Sequence, residues 1–172
     1  MSNDNIFIVR DLQNFASITE SIKSRKLHYQ NTVLEQGVME ANYHISRQLD
    51  LALGTKVFYM KRLRVVEGQP RSIETSYVNY ELLVGVETMD FNNISFYDTV
   101  LQKKGYRAIR REEEILVVEA KDEECELLKM PKGSEILLIK GTTYKAENDA
   151  PFEYFELVCD PSFYRFRSVM KV

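Results

Sequence analysis

The sequence has few of the residues that build metal centres and disulfide frameworks. Its 172 residues include only two cysteines, two histidines and no tryptophan. Cys125 and Cys159 stand in unrelated surroundings, and neither His28 nor His44 has a cysteine or carboxylate at metal-ligand spacing. We therefore expect free thiols, no metal site and no cofactor. A chain of this length buries enough apolar surface to fold without a disulfide or a structural metal.

Long apolar runs and a strong net charge are also lacking. No stretch approaches the ~18 apolar residues of a membrane-spanning helix. The polar start at residues 1–5 has no basic region followed by an apolar core, so no signal peptide is indicated. The formal net charge is −3 and no long Lys/Arg run occurs, which argues against direct binding to nucleic acid through its phosphates. These features predict a single-domain cytoplasmic protein with no membrane partner.

The local signatures of catalysis are missing too. The sequence has no nucleophile elbow, P-loop, Rossmann glycine pattern or CxxC motif. The acidic residues at 122–126 open a predicted helix and complement its dipole, so they require no metal. The charged run at 110–114 is typical of a solvated edge strand. Since no residue set places a nucleophile beside a base, the sequence does not point to an enzyme.

The chain does contain a regular series of strand patterns, interrupted by a few short helical ones. Hairpins with interspersed helices predict an α+β fold on a largely antiparallel sheet, in one domain over residues 1–172. Helices are expected at about residues 15–25, 43–49, 95–105 and 122–129. Strands are expected at about residues 6–9, 28–39, 56–66, 71–78, 107–119, 135–145, 152–159 and 164–171.

Two arginines stand where a strand should be apolar. In the strand pattern at 56–66, alternate residues face opposite ways, so Arg62 and Arg64 share a face with Phe58, Met60 and Val66. Burying an unpaired charge costs several kcal/mol. Two buried guanidinium groups therefore need an anion, and phosphate or carboxylate suits their forked donors best. The alternative is that both side chains extend to the surface and pair with acids there.

The partner strand of this hairpin decides which groups face the arginines. A three-residue loop at 67–69 would place Arg62 opposite Glu74. It also places Arg64 opposite Ser72, whereas a two-residue loop would turn Glu74 to the other face. A polar patch among apolar neighbours is typical of a small-molecule pocket, although a cross-strand salt bridge without any ligand explains the same spacing. The patch comprises Arg62, Arg64, Ser72, Glu74 and Ser76.

Two further positions could serve a ligand. Glu153 is a carboxylate on an otherwise apolar strand face, which it shares with Phe155, Leu157 and Cys159. Such a carboxylate is either paired with an arginine or available to a ligand hydroxyl or amine. Ser95 is a predicted N-cap, and the helix that it opens offers free backbone N–H groups to an anion. Asp98 in the first turn competes for those groups.

Six short motifs follow one another along the chain in a fixed order. They are Arg62-Leu63-Arg64, Glu67-Gly68-Gln69-Pro70, Glu74-Thr75-Ser76-Tyr77, Ser95-Phe96-Tyr97, Pro151-Phe152-Glu153-Tyr154 and Tyr164-Arg165-Phe166. Their order and spacing resemble the UTRA domain, the effector-binding half of the HutC subfamily of GntR-type transcriptional regulators. The resemblance extends from about Asp50 to the C-terminus, and more loosely from about Phe15.

The resemblance implies both a fold and a function. UTRA domains are similar to chorismate lyase, with a central antiparallel sheet, helices packed against it and a pocket beside it. In the family this pocket binds a small metabolite, often a sugar phosphate, and binding alters the DNA affinity of an N-terminal winged helix-turn-helix. No recognition helix precedes Phe15 in this sequence. We therefore expect a homodimeric sensing domain that contacts DNA only through a separate N-terminal domain.

The resemblance also assigns roles to individual residues. The two arginines of the first motif are expected to hold the phosphate or carboxylate of the ligand. Ser95 and Tyr97 would assist at the start of their helix. Glu74 and Glu153 would meet sugar hydroxyl or amide groups.

One departure from the family concerns the far end of the ligand. Sugar-phosphate binders of the family usually carry Tyr followed by Arg where this chain has Cys159 and Asp160. Because cysteine is smaller than tyrosine, we expect Cys159 to point into the pocket and leave room for a bulkier ligand, such as a disaccharide phosphate. The alternative is that Cys159 is a small core residue, as thiols often are.

Three functions follow from these observations. The leading interpretation is the ligand-sensing domain of a bacterial transcription factor that binds an anionic metabolite, in particular a sugar phosphate. A chorismate-lyase-like enzyme would use the same arginines for a substrate carboxylate. A stand-alone interaction module would have no ligand at all.

Overall fold

The computed structural model describes residues 6–14 and 18–171, which contain eight strands and four α-helices. The helices are α1 (Ile18–Ser24), α2 (Tyr43–Leu49), α3 (Phe96–Lys104) and α4 (Asp122–Leu128). The strands are β1 (Ile8–Asp11), β2 (Tyr29–Glu40), β3 (Lys56–Val66), β4 (Gln69–Asn79), β5 (Ala108–Glu119), β6 (Glu135–Lys145), β7 (Pro151–Cys159) and β8 (Tyr164–Arg167).

A six-stranded antiparallel sheet forms the centre of the fold, in the order β2-β3-β4-β7-β6-β5. β1 and β8 form a separate parallel pair. The expected α+β class with a largely antiparallel sheet is therefore confirmed. Among the described helices, none has the length and apolar content that crossing a membrane requires.

The predicted element bounds agree closely in the middle of the chain and less well at its ends. α2 and β3 have the bounds expected from the sequence. β8 is shorter than expected, because β1, its strand partner among the described residues, ends at Asp11, which pairs with Arg167. The first helix was expected to begin near Phe15, which lies outside the described residues, as do residues 1–5; α1 is described from Ile18.

The β3–β4 hairpin places Arg62 opposite Glu74, but with a shorter loop and a β-bulge. Its loop has two residues, Glu67 and Gly68, both with positive φ, so of the two loop lengths considered the shorter one is present. A β-bulge restores the alignment, because Arg71 is an extra residue between two paired positions. Arg62 therefore still lies opposite Glu74, on the same face of the sheet.

Apolar clusters cover both faces of the sheet. On one face, α2 packs on Val57 and Tyr154, and α4 packs on Ile73 and Val158. On the other face, α3 packs on Phe58 and Met60, whereas α1 and the β1–β8 pair pack around Val66, Ile139, Phe155, Leu157 and Cys159. The two arginines of β3 lie on this second face, between its two apolar clusters.

Candidate functional site

A cavity of about 330 Å³ opens between the second face of the sheet and the helices α1 and α3. A volume of this size suits a small metabolite. The lining residues that matter most for its chemistry are Thr19, Asn31, Arg62, Arg64, Glu74, Ser95, Tyr97 and Arg111. Five of the seven residues predicted to bind a ligand therefore line one cavity.

The two arginines share a single carboxylate. Arg62 Nη2 donates to Glu74 Oε2 at 3.0 Å, and Arg64 Nη2 donates to the same oxygen at 3.4 Å. Both arginines are buried, with 6% and 4% of their surface exposed. Burial alone would raise the pKa of Glu74, but Arg62, Arg64 and Arg111 outweigh it and lower that pKa. Glu74 is therefore ionised at neutral pH, and it neutralises only one of the two guanidinium groups that it contacts.

Two donors of these buried guanidinium groups have no acceptor. Within the described part of the chain, no protein group accepts a hydrogen bond from Arg62 Nε or Arg64 Nη1. Each of the other guanidinium nitrogens has at least one acceptor: Arg64 Nε donates to Asn31 Oδ1 at 3.0 Å, Arg62 Nη1 donates to the carbonyl of Ile94 at 3.2 Å, and both Nη2 atoms donate to Glu74. Leaving a buried donor unpaired costs about 1–3 kcal/mol, more when it is charged. Both unpaired donors belong to residues that line the cavity.

The N-terminus of α3 forms another part of the wall. Ser95 caps the helix by accepting from the backbone N–H of Asp98 at 3.2 Å, as the sequence predicted, and Gly105 ends it in the left-handed region at φ 71°. Ser95, Tyr97 and Asp98 line the cavity. The dipole of α3 adds partial positive charge near Ser95, although Asp98 offsets some of it.

Glu153 lies one layer behind the cavity rather than at its surface. Its carboxylate is 1% exposed and accepts hydrogen bonds from the hydroxyls of Tyr97 and Thr143. Burial raises the pKa of Glu153, while the nearby Arg111 acts in the opposite direction. Glu153 thus contacts Tyr97, which lines the cavity, but it does not line the cavity itself.

Cys159 lies apart from the cavity, in the apolar core. It is fully buried in the cluster around Ile8, Phe163 and Tyr164 and does not line the cavity. Burial raises the pKa of its thiol. This placement favours the alternative that Cys159 is a small core residue, and it removes the sequence argument for a bulkier ligand.

Arg111 is a site residue that the sequence interpretation missed. The charged run at 110–114 was expected to be solvated, and this is wrong for Arg111 and Glu113, whose side chains are only 13% and 14% exposed. Arg111 Nη2 donates to the Tyr97 hydroxyl oxygen at 2.9 Å, and its guanidinium lies 4.8 Å from the centre of the Phe155 ring. The available signal was the two-residue period of the strand, which turns alternate members of the run towards the covered face.

No metal centre is suggested by the side chains. Within residues 6–14 and 18–171, no group of three or more His, Cys, Asp or Glu side chains is arranged to hold a metal ion. The cavity instead combines guanidinium, hydroxyl, amide and carboxylate groups. This donor set suits an oxygen-rich anionic ligand.

Comparison with known proteins identifies the family. The model of the UTRA domain matches residues 24–165. Among curated proteins, the HTH-type transcriptional repressor NagR of Bacillus subtilis strain 168 is 27% identical over 155 residues, which cover 90% of this chain and 63% of NagR. The chain spans about three fifths of the length of the curated relatives it matches.

Solved structures show the same fold. The effector domain of PhnF from Mycobacterium smegmatis superposes with a TM-score of 0.86 at 20% identity, covering 96% of this chain and all of that one. The ligand-binding domain of a GntR-family regulator from Bordetella bronchiseptica gives 0.77 at 21% identity, covering 84% of this chain and 91% of that one. The expected chorismate-lyase-like architecture is therefore confirmed. The chain belongs to the UTRA domain family, the effector-binding domains of GntR-family transcriptional regulators.

Proposed function

We propose that this chain senses a small anionic metabolite, in particular a sugar phosphate, for a cytoplasmic bacterial transcriptional regulator. Ligand binding would change the DNA affinity of an N-terminal winged helix-turn-helix domain in the same protein. The curated relatives named as repressors support regulation rather than a chorismate-lyase-like activity.

One observation carries the proposal more than any other. Two buried guanidinium groups face a cavity with one carboxylate between them, and each has a donor without an acceptor. A phosphate ester offers several strong acceptor oxygens and a charge of about −1.5 to −2 at neutral pH. It would balance the charge of the arginine pair, and a rotation of the two side chains would let it also accept from the shielded donors.

The net charge of the residues that line the cavity favours a dianionic ligand over a neutral one. The cavity is lined by cationic residues in excess of acidic ones: Lys23, Arg62, Arg64, Arg107 and Arg111 against Glu20, Glu74 and Asp98. Hydroxyl and amide groups at Thr19, Asn31 and Ser95 are available to further ligand oxygens. A phosphate attached to a polyol such as a sugar fits this combination.

A calorimetric comparison tests the proposal. We expect glucose 6-phosphate and inorganic phosphate to bind and to raise the melting temperature, whereas uncharged glucose should do neither. A ligand at a hundredfold excess over its Kd stabilises the fold by about 2.7 kcal/mol. If sugar phosphates, inorganic phosphate and small carboxylates such as citrate all failed to bind, the cavity would not be an anion site.

We also propose that the domain forms a homodimer, because regulators of this kind read two related half-sites on DNA. Within the described residues, β2 and β5 are the edges of the sheet and could serve as contacts. Light scattering during size-exclusion chromatography should give about twice the 20.1 kDa of one chain. A single-chain mass at high concentration would contradict a dimer held together by this domain.

A further inference from the structure

A continuous chain of hydrogen bonds runs from the core to the wall of the cavity. It begins at the buried carboxylate of Glu153, passes through the hydroxyl of Tyr97 and ends at the guanidinium of Arg111. Tyr97 and Arg111 line the cavity, and Glu153 does not. Glu153, the most deeply buried of the three, is therefore the one that a ligand cannot contact directly.

The direction of these bonds is fixed by chemistry. An arginine can only donate, so the Tyr97 oxygen must act as acceptor towards Arg111 Nη2 at 2.9 Å. The single proton of the Tyr97 hydroxyl then has to be donated elsewhere, and the Glu153 carboxylate accepts it. Without that acceptor, the hydroxyl proton would be free to turn towards Arg111, where it would oppose the guanidinium protons.

We propose that Glu153 is a positioning residue that fixes the Tyr97 hydroxyl and thereby aims Arg111 into the cavity as a third cationic contact for the ligand. This inference rests on the proposed anion-binding function. It replaces the expectation that Glu153 meets the ligand itself. Arg111 interacts electrostatically with the same carboxylate as Arg62 and Arg64, because all three guanidinium groups lower the pKa of Glu74.

Three other contacts of Arg111 favour the same orientation. Its guanidinium lies over the Phe155 ring, Nε donates to Thr143 Oγ1 at 3.4 Å, and Nη1 donates to Glu113 Oε1 at 3.4 Å. The bond to Tyr97, at 2.9 Å, is shorter than either of these two hydrogen bonds. Its loss should therefore weaken the hold on the end of the guanidinium that Nη2 occupies.

A ligand-free measurement tests the positioning role directly. The side-chain N–H signals of Arg111 should be resolved by NMR in the wild type, because a hydrogen-bonded guanidinium rotates slowly. They should broaden in Tyr97→Phe and in Glu153→Leu, and return in Glu153→Gln, because the amide oxygen still accepts from Tyr97. Unchanged Arg111 signals in Glu153→Leu would overturn the inference.

A matched control separates this effect from the general loss of a buried hydroxyl. Tyr164 is also buried on this face of the sheet, and its hydroxyl contacts Ser72 Oγ at 3.0 Å, away from Arg111. Tyr164→Phe should leave the Arg111 signals as they are in the wild type. If it broadened them equally, the effect would be one of general packing and the inference would fail.

A binding cycle then tests the consequence for the ligand. With glucose 6-phosphate as the probe, Tyr97→Phe and Glu153→Leu should each weaken binding by about tenfold, and the double variant should bind no worse than Tyr97→Phe alone. If Glu153→Leu weakened binding further in the Tyr97→Phe background, Glu153 would act on the ligand independently and the inference would be wrong. If no anion bound to the wild type, the proposed function would fail on its own, and the NMR result would still decide the positioning role.

Discussion

Replacing Arg64 by methionine is the most direct test of the proposed anion site. Methionine keeps much of the apolar stem, so the change removes the charged donors with little loss of volume. A hydrogen bond to a charged group contributes about 1.5–3 kcal/mol, and Arg64 Nη1 is one of the donors that has no protein acceptor. Arg64→Met should therefore weaken binding of glucose 6-phosphate by about ten- to 150-fold in titration calorimetry.

The stability of the Arg64→Met protein must be considered separately. The substitution leaves Asn31 Oδ1 without its donor, which costs about 1–3 kcal/mol. Glu74 keeps Arg62 as a direct partner, so no buried carboxylate is left alone. We expect a folded protein with a lower melting temperature, and its affinity should be measured well below that temperature.

Arg71 provides a matched control on the same hairpin. It is also shielded, forms an ion pair with Asp160 at 2.7 Å and has an unpartnered Nε, but it does not line the cavity. Arg71→Met should therefore lower stability to a similar degree without changing ligand affinity. Equal affinities of the Arg64→Met and Arg71→Met variants would refute the assignment of Arg64 to the anion site.

Three other substitutions test separate parts of the structure. Gly141→Ala should lower the free energy of unfolding by about 1–3 kcal/mol in urea titrations, because its Cβ would lie 2.0 Å from the carbonyl oxygen of Glu112; unchanged stability would contradict this packing. Cys159→Tyr should lower that free energy by a similar amount through overpacking and leave glucose 6-phosphate affinity nearly unchanged; weaker binding at an unchanged melting temperature would instead place Cys159 at the ligand. Glu153 has a pKa raised above its ordinary 4.5, so its protonated form adds stability below pH 4.5 that is lost as the pH rises through the folded pKa. Glu153→Gln does not titrate, so its stability relative to the wild type should increase with pH over that window, and a pH-independent difference would show that the pKa of Glu153 is the same in the folded and unfolded states.

Local patterns account for the parts of the fold that the sequence predicted well. The alternation in β3 is set by strand geometry, and it places Arg62 and Arg64 on one face whatever the neighbouring strands do. The start and end of α3 follow from Ser95 and Gly105, whose roles depend on the backbone of their own turns. Such features need no knowledge of tertiary contacts.

Features that depend on distant contacts were harder to predict. The bulge at Arg71 depends on how β4 pairs with both of its neighbours. The length of the loop alone therefore does not predict which face of the sheet Glu74 takes. Arg111 is covered by Tyr97 and Phe155, which are remote in sequence, and a charged run offers no local sign of that cover. Cys159 was assigned by analogy to a family position, but its burial is decided by how β8 packs.

The arrangement of the second sheet face argues that the polar layer exists for binding rather than for stability. Apolar clusters around Phe58 and around Phe155 lie on this face, with Arg62 and Arg64 between them. Well-packed apolar residues in place of a buried ion pair are often neutral or stabilising, by about 1–4 kcal/mol. A core selected only for stability would therefore join the two clusters with apolar side chains. The chain instead keeps two guanidinium groups, one shared carboxylate and an adjoining cavity, and the stability given up there is best explained by a ligand that completes the charge balance.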